Sequence, residues 1–136
     1  MTHLLDTSAI LTYYFEEGGA DRVQTFLADT KNPPFICCIT ELEFWARLKS
    51  LGAEALFGSD WPELSNLLRT YSLDVQIVGR AVEIRRACCE RLPTVDSLIA
   101  ATASFYNMVL IHRDSHFESI PRKLVRQVSL CSTPAP

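Results

Sequence analysis

Short apolar runs alternate with segments of helical period along almost the whole chain, and this alternation constrains the fold more than any other feature. His3-Leu4-Leu5 reads as a short buried strand that ends at Asp6. Ala9 to Phe15 reads as helix, broken by Gly18-Gly19, and Ala20 to Asp29 as a second helix with Val23, Phe26 and Leu27 on one face. Asn32-Pro33-Pro34 is a turn ahead of a second strand, Phe35 to Cys38. Helix is predicted over Thr40 to Leu51, closed by Gly52. Asp60 is placed to cap the next helix, with Pro62 in its first turn and Leu64, Leu67 and Leu68 facing inward. Val75-Gln76-Ile77-Val78 predicts a third strand and Arg80 to Arg91 a helix stopped by Pro93. Thr94 is placed to cap a long helix, Val95 to Tyr106. Met108 to Ile111 predicts a fourth strand, and a last one is expected between Leu124 and Leu130.

Strands that alternate with helices predict an α/β fold, a mainly parallel central sheet flanked by helices. A chain of 136 residues, 48% of them hydrophobic, suits one such domain and supplies its core without staples. The domain is expected to span residues 1–131, and Ser132-Thr133-Pro134-Ala135-Pro136 reads as a disordered tail.

Parallel sheets bind ligands just beyond the carboxyl ends of their strands. Asp6 directly follows the first strand, Glu43 sits about one turn into the helix after the second, and Asp114 lies just past the fourth. All three are expected at one edge of the sheet. Asp96 falls in the first turn of a helix, whose N-terminus favours a charged carboxylate, so it is expected to stay ionised. Each acid taken alone has a plainer role: Asp6 as a helix cap, Asp96 as a first-turn acid, Glu43 as a solvated helix residue, Asp114 in a turn. The case for a site comes from their convergence. An oxygen-rich cluster suits Mg²⁺ or Mn²⁺, which lower the pKa of bound water and screen charge building on phosphorus.

Composition narrows the remaining choices. The formal charge of −3 argues against a general nucleic-acid coater but not against an enzyme whose acids await a cation. The five cysteines fall as Cys37-Cys38, Cys88-Cys89 and a lone Cys131, with no C-x-x-C spacing, so reduced and mostly buried thiols are expected rather than a zinc site or disulfides. No apolar run reaches the roughly 18 residues of a membrane span, and the N-terminus lacks the pattern of a secretory signal, so a cytoplasmic location is expected.

At these acids the chain resembles the PIN-domain family, and more closely its VapC-like toxin branch. Leu4-Leu5-Asp6-Thr7-Ser8-Ala9 is similar to the opening hydrophobic-Asp-Thr-Ser motif. Ile36-Cys37-Cys38-Ile39-Thr40-Glu41-Leu42-Glu43-Phe44 resembles the second, in which a Thr precedes the acid by three positions; that register selects Glu43 over Glu41. The third and most specific is Leu92-Pro93-Thr94-Val95-Asp96-Ser97-Leu98-Ile99-Ala100-Ala101-Thr102-Ala103, and the fourth is Leu110-Ile111-His112-Arg113-Asp114-Ser115-His116-Phe117. The resemblance spans residues 4 to 117 in the family's order.

It implies a Mg²⁺- or Mn²⁺-dependent endoribonuclease leaving a 5′-phosphate and a 3′-hydroxyl. It also implies the toxin of a type II toxin–antitoxin pair, a small cognate antitoxin and a homodimer. By this likeness Asp6, Glu43, Asp96 and Asp114 hold the metal, and Ser8 steadies the site. Two positions depart from the pattern: His112 stands where the family often has Thr, and Arg47 where a small residue is common. His112 is either a contact to substrate or metal-bound water, or a strand-end residue without a catalytic task.

Arg80, Arg85, Arg86, Arg91 and Arg113 are candidates for local positive charge around an RNA groove, although many such residues only solvate helix faces. Trp45, Trp61, Tyr13 and Tyr14 are candidate stacking residues, with core packing the commoner role. Leu11, Tyr14 and Phe15 with the helix Thr40 to Leu51 are a candidate partner surface. Two other functions fit the same acids: a non-catalytic PIN-like module that binds RNA or protein, and another Mg²⁺-dependent phosphoryl hydrolase. A phosphatase would repeat Asp two positions after the first acid, where this chain has Ser8.

Overall fold

The computed structural model describes residues 2–131. The expected disordered tail, 132–136, lies outside the described residues. In chain order the elements are β1 (His3–Leu5), α1 (Thr7–Tyr14), α2 (Ala20–Leu27), β2 (Phe35–Cys37), α3 (Ile39–Ser50), α4 (Phe57–Ser65), β3 (Arg69–Tyr71), α5 (Val75–Ala87), α6 (Thr94–Phe105), β4 (Val109–His112) and β5 (Gln127–Ser129). Short 3-10 segments occupy Glu54–Leu56 and Ser115–Ser119. The strands form one sheet in the order β3-β2-β1-β4-β5, and every pairing is parallel. The domain is the expected α/β fold.

Both faces of the sheet are covered, so the central strands are mostly apolar and each sends alternate residues to opposite sides. Leu4, Cys37 and Leu110 face one core with Ile77 and Ile84 of α5, Ile99 of α6, and Phe117. Their sequence neighbours Leu5, Ile36 and Ile111 face the other, with Ile10, Val23, Leu27, Phe44, Leu48 and Trp61 from α1 to α4. Gly19 closes the turn into α2 at φ 102°, a left-handed backbone that suits glycine.

The third strand is not where the β-branched run predicted it. Val75-Gln76-Ile77-Val78 forms the start of α5, and β3 lies at Arg69–Tyr71. Asp74 decides this: its carboxylate accepts the Ile77 N–H at 3.0 Å, capping the helix, and Ile77, Ala81 and Ile84 then bury one helical stripe. β3 is an edge strand with no buried residue, so it carries no apolar signature. Two caps also differ. Asp60 lies inside α4 and accepts a hydrogen bond from the Tyr14 hydroxyl, while Pro93, not Thr94, occupies the cap position of α6. The cysteines are all unpaired as expected, but only Cys37 is buried, and Cys38, Cys89 and Cys131 are exposed. Among the described residues, no helix is long and apolar enough to cross a membrane.

Candidate active site

In a parallel sheet all strands end at the same edge, and the order here reverses beside β1, which lies between β2 and β4. That reversal opens a crevice between the chains leaving β1 and β4. Asp6 leaves β1, Glu43 rises from α3 after β2, Asp114 follows β4, and Asp96 sits in the first turn of α6. A cleft of about 390 Å³ is lined by all four, with Thr7, Ser8, Leu11, Ala46 and Arg47. The four acids that the sequence singled out therefore converge on one cleft.

Asp6 both caps α1 and faces the cleft. Its Oδ2 accepts the Ser8 N–H at 2.9 Å and the Ser8 hydroxyl at 2.5 Å. Its Oδ1 is buried without a protein partner. Burial, opposed by the Ser8 hydrogen bonds and reinforced by Asp96 and Glu43, pushes the Asp6 carboxyl up to about 7. Ser8 also ties the two strand exits together, because its hydroxyl accepts the Arg113 N–H at 2.9 Å.

Glu43 is set by a threonine pair. Thr7 Oγ1 lies 2.5 Å from Glu43 Oε1 and 3.1 Å from Thr40 Oγ1. Thr7 has one hydroxyl proton, which goes to the carboxylate, leaving Thr40 to donate to Thr7. Burial raises the Glu43 pKa, the Thr7 bond opposes the rise, and Asp114 adds to it. Asp96 is raised as well, though not so far that it is uncharged at neutral pH. Burial, then Asp114 and Glu43, lift it to about 6 against the lowering influence of His116. Desolvation and like charges outweigh the helix N-terminus there.

The tightest grouping is not the expected one. Asp96, Asp114 and His116 place one ligand atom each within 4.8 Å of one another. Asp6 and Glu43 line the same cleft but stand outside that trio. His116 Nδ1 is 3.2 Å from Asp96 Oδ2 and 3.1 Å from Asp114 Oδ1. Thr7, Thr40 and His116 all lie within the four motifs, and Thr40 sets the register that selects Glu43, but the sequence assigns none of them a contact in the site; only the fold shows what they touch.

His112 turns away from the cleft. It is fully buried, its Nδ1 accepts the Asp114 N–H at 3.2 Å, and its Nε2 therefore carries the proton donated to Gln127 Oε1 at 2.8 Å. Gln127 is fixed in turn by donating to the Phe117 carbonyl at 2.9 Å. Burial lowers the His112 pKa and keeps the ring neutral. A contact with substrate is thus replaced by a hold on the Asp114 backbone.

The arginines divide. Arg113 lies at a recess of about 440 Å³ that shares Ser8, Leu11 and Arg47 with the acid cleft, and it pairs with Glu17 at 3.6 Å. Arg80 donates to Ser104 at 2.8 Å and pairs with Glu83. Ser104 is eight residues down α6 from Asp96, roughly 12 Å of helix, so Arg80 is remote from the cleft. Arg85, Arg86 and Arg91 are exposed and line none of the clefts described. Trp61 is core, its indole donating to Glu41 at 2.9 Å, and Tyr14 packs edge-on against Phe44. Leu11, Phe15 and Leu51 do share one recess, the one that holds Arg113.

A parallel sheet with acids gathered in a cleft at its carboxyl edge defines a class of α/β domain. Residues 3–123 match the PIN domain model, and the chain belongs to that family. A comparison with curated protein sequences returned no match. Among solved structures, the DNA-bound VapBC from Salmonella typhimurium is similar with a TM-score of 0.78 at 20% identity, covering 96% of this chain and 99% of that one. VapBC2 from Rickettsia felis, bound to a promoter DNA fragment, gives 0.76 at 16% identity over 95% and 98%. VapBC-1 from nontypeable Haemophilus influenzae gives 0.73 at 18% identity over 97% and 100%. These likenesses carry the fold, which is the one expected for the VapC-like branch.

Proposed function

We propose that this chain is a divalent-metal-dependent endoribonuclease acting as the toxin of a type II toxin–antitoxin pair. The observation that carries the reading is the buried, unpartnered Oδ1 of Asp6 in a cleft shared with Glu43, Asp96 and Asp114. A buried acceptor without a donor is costly, and several carboxylates that raise one another's pKa are costlier still. A divalent cation answers both, and the all-oxygen character of the four acids suits Mg²⁺ or Mn²⁺. Asp6, Glu43, Asp96 and Asp114 would hold it, directly or through water.

Bound there, the cation would supply an activated water and charge stabilisation at a phosphodiester. The chain's own residues set the stage. Ser8 aims Asp6, Thr7 aims Glu43, and His112 fixes the backbone that carries Asp114. Arg47 and Arg113 border the acids and offer charge to the phosphates flanking the scissile one. A toxin–antitoxin complex from Klebsiella pneumoniae shares the fold, which supports a small cognate antitoxin here. A homodimer and a cytoplasmic location are part of the same reading.

The test is cleavage of structured RNAs by the purified chain with Mg²⁺ or Mn²⁺. Wild type should cut and Asp6→Asn should not. Equal rates for both would remove the site. RNA binding without cutting would favour a binding module, and turnover of a small phosphomonoester without RNA cleavage a different phosphoryl hydrolase. For the toxin role, expression of wild type should arrest growth and Asp96→Asn should not.

A further inference from the structure

We propose that His116 is a direct nitrogen ligand of the cation, completing a site with Asp96 and Asp114 and favouring Mn²⁺ over Mg²⁺. The inference rests on the metal-site reading above and adds to it a ligand and a preference. Three observations support it. The Nδ1 of His116 lies 3.2 Å from Asp96 Oδ2 and 3.1 Å from Asp114 Oδ1, and the three donor atoms fall within 4.8 Å of one another. Neighbouring ligands of an octahedral ion with bonds of about 2.1 Å stand roughly 3.0 Å apart, so both separations suit adjacent corners of one coordination shell. Second, the ring is carried on a fixed turn. Asp114 Oδ1 accepts the His116 N–H at 2.9 Å, the Ser119 hydroxyl donates to the His116 carbonyl at 2.9 Å, and Phe117 anchors the segment with no exposed surface. Third, and independently of this trio, the buried Oδ1 of Asp6 in the same cleft lacks a partner.

The same separations also suit a histidine that donates one proton to both carboxylates. The two arrangements differ in what Nδ1 presents: a proton to two oxygens, or a lone pair to a metal with the ring proton on Nε2. The chemical consequence differs too. Mg²⁺ prefers oxygen ligands and keeps its waters, whereas imidazole nitrogen is accepted more readily along the first transition row. A site with two carboxylates and an imidazole therefore gains for Mn²⁺ what it does not gain for Mg²⁺.

The experiment loads the full chain with Mn²⁺ and reads nitrogen hyperfine coupling by electron spin echo spectroscopy, alongside calorimetric titrations with Mn²⁺ and Mg²⁺ separately. Wild type should show directly bound nitrogen, and labelling its histidines with heavy nitrogen should change the pattern. His116→Ala should lose the coupling and weaken Mn²⁺ on the order of 10-fold or more, and weaken Mg²⁺ by less. Should His116→Ala not fold, the labelled wild type decides alone. Mn²⁺ bound without nitrogen coupling, but abolished by Asp96→Asn, would overturn the histidine ligand and leave the metal site standing. Equal loss of both metals in His116→Ala would overturn the preference. A wild type that binds neither ion would overturn the metal site and this inference together.

Discussion

Thr7 and Glu43, 36 positions apart in the chain, are joined by a hydrogen bond of 2.5 Å that fastens the first turn of α1 to α3. Thr7 is buried and Thr40 behind it has no exposed surface, so the pair forms a short relay ending on the carboxylate. The geometry of Glu43 is thereby set by a residue adjacent to Asp6.

Thr7→Val keeps the shape of the side chain and removes the hydroxyl. Glu43 loses the contact that opposes the upward shift of its pKa. Divalent-cation affinity should fall about 10- to 100-fold, as it does when a metal ligand loses its orienting partner. Stability should fall by about 1 kcal/mol, because the buried Thr40 hydroxyl loses the group it faces. Calorimetric metal titration and urea denaturation check the two parts separately.

Asp6 gives the protein a pH dependence opposite to that of a salt-bridged carboxylate. Its folded pKa of about 7 lies above the ordinary 3.8, so the folded state holds a proton that the unfolded chain has released. In chelator, its contribution to stability is present below about pH 4 and lost as pH rises towards 7. The loss should be on the order of 2–4 kcal/mol, spread over acids that titrate together. His112, with its lowered pKa, acts with the other sign, weakening the fold as pH falls below 6.5. The Asp6 part is therefore read as the difference between wild type and Asp6→Asn in thermal unfolding from pH 4 to 7. The variant should show a shallower decline, keeping the part that Asp96 and Glu43 contribute, and saturating Mg²⁺ or Mn²⁺ should suppress the decline in wild type.

The acids were legible because a parallel sheet makes position along the chain equivalent to position in space. A residue just past a strand must lie at the carboxyl edge, and Asp6 and Asp114 do. Glu43 follows by one helical turn. The β3–α5 region was not legible by apolar patterning, because an edge strand of Arg69, Thr70 and Tyr71 buries nothing while Val75 to Val78 has strand-like composition. The single carboxylate of Asp74 outweighed that composition. Side-chain direction was also hidden. His112 ends a strand whose alternate faces are both buried, and nothing in its neighbours says that its ring meets Gln127 rather than the cleft. Thr7, Thr40 and His116 acquire their roles only from contacts made across elements.

His112→Ala tests that hidden arrangement. The substitution removes a fully buried ring, leaves Gln127 Oε1 without its donor and deprives the Asp114 N–H of its acceptor. The combined cavity and unpaired groups should cost about 2–4 kcal/mol in urea denaturation. A loss near zero would mean that the ring does not hold the β4–β5 contact.

Arg47 is the residue where departure from the family pattern meets the cleft. It is exposed, stands one helical turn after Glu43, and lines both the acid cleft and the recess beside it. Arg113 shares that recess, but Glu17 at 3.6 Å draws on its charge. For an RNA threading past the acids, Arg47 is then the better-placed cation for a phosphate next to the scissile one. There it would touch the substrate's backbone rather than the reacting atoms, and its contribution would be equal in the ground and transition states. Arg47→Ala should raise KM roughly 3- to 10-fold, matching a contact of about 1 kcal/mol, with kcat unchanged. The salt dependence of RNA binding should become shallower by about 0.7 in the log–log slope, the value for one phosphate contact on a single strand. Cleavage kinetics and binding across a salt series read both quantities. A fall in kcat at constant KM would place Arg47 at the transition state instead.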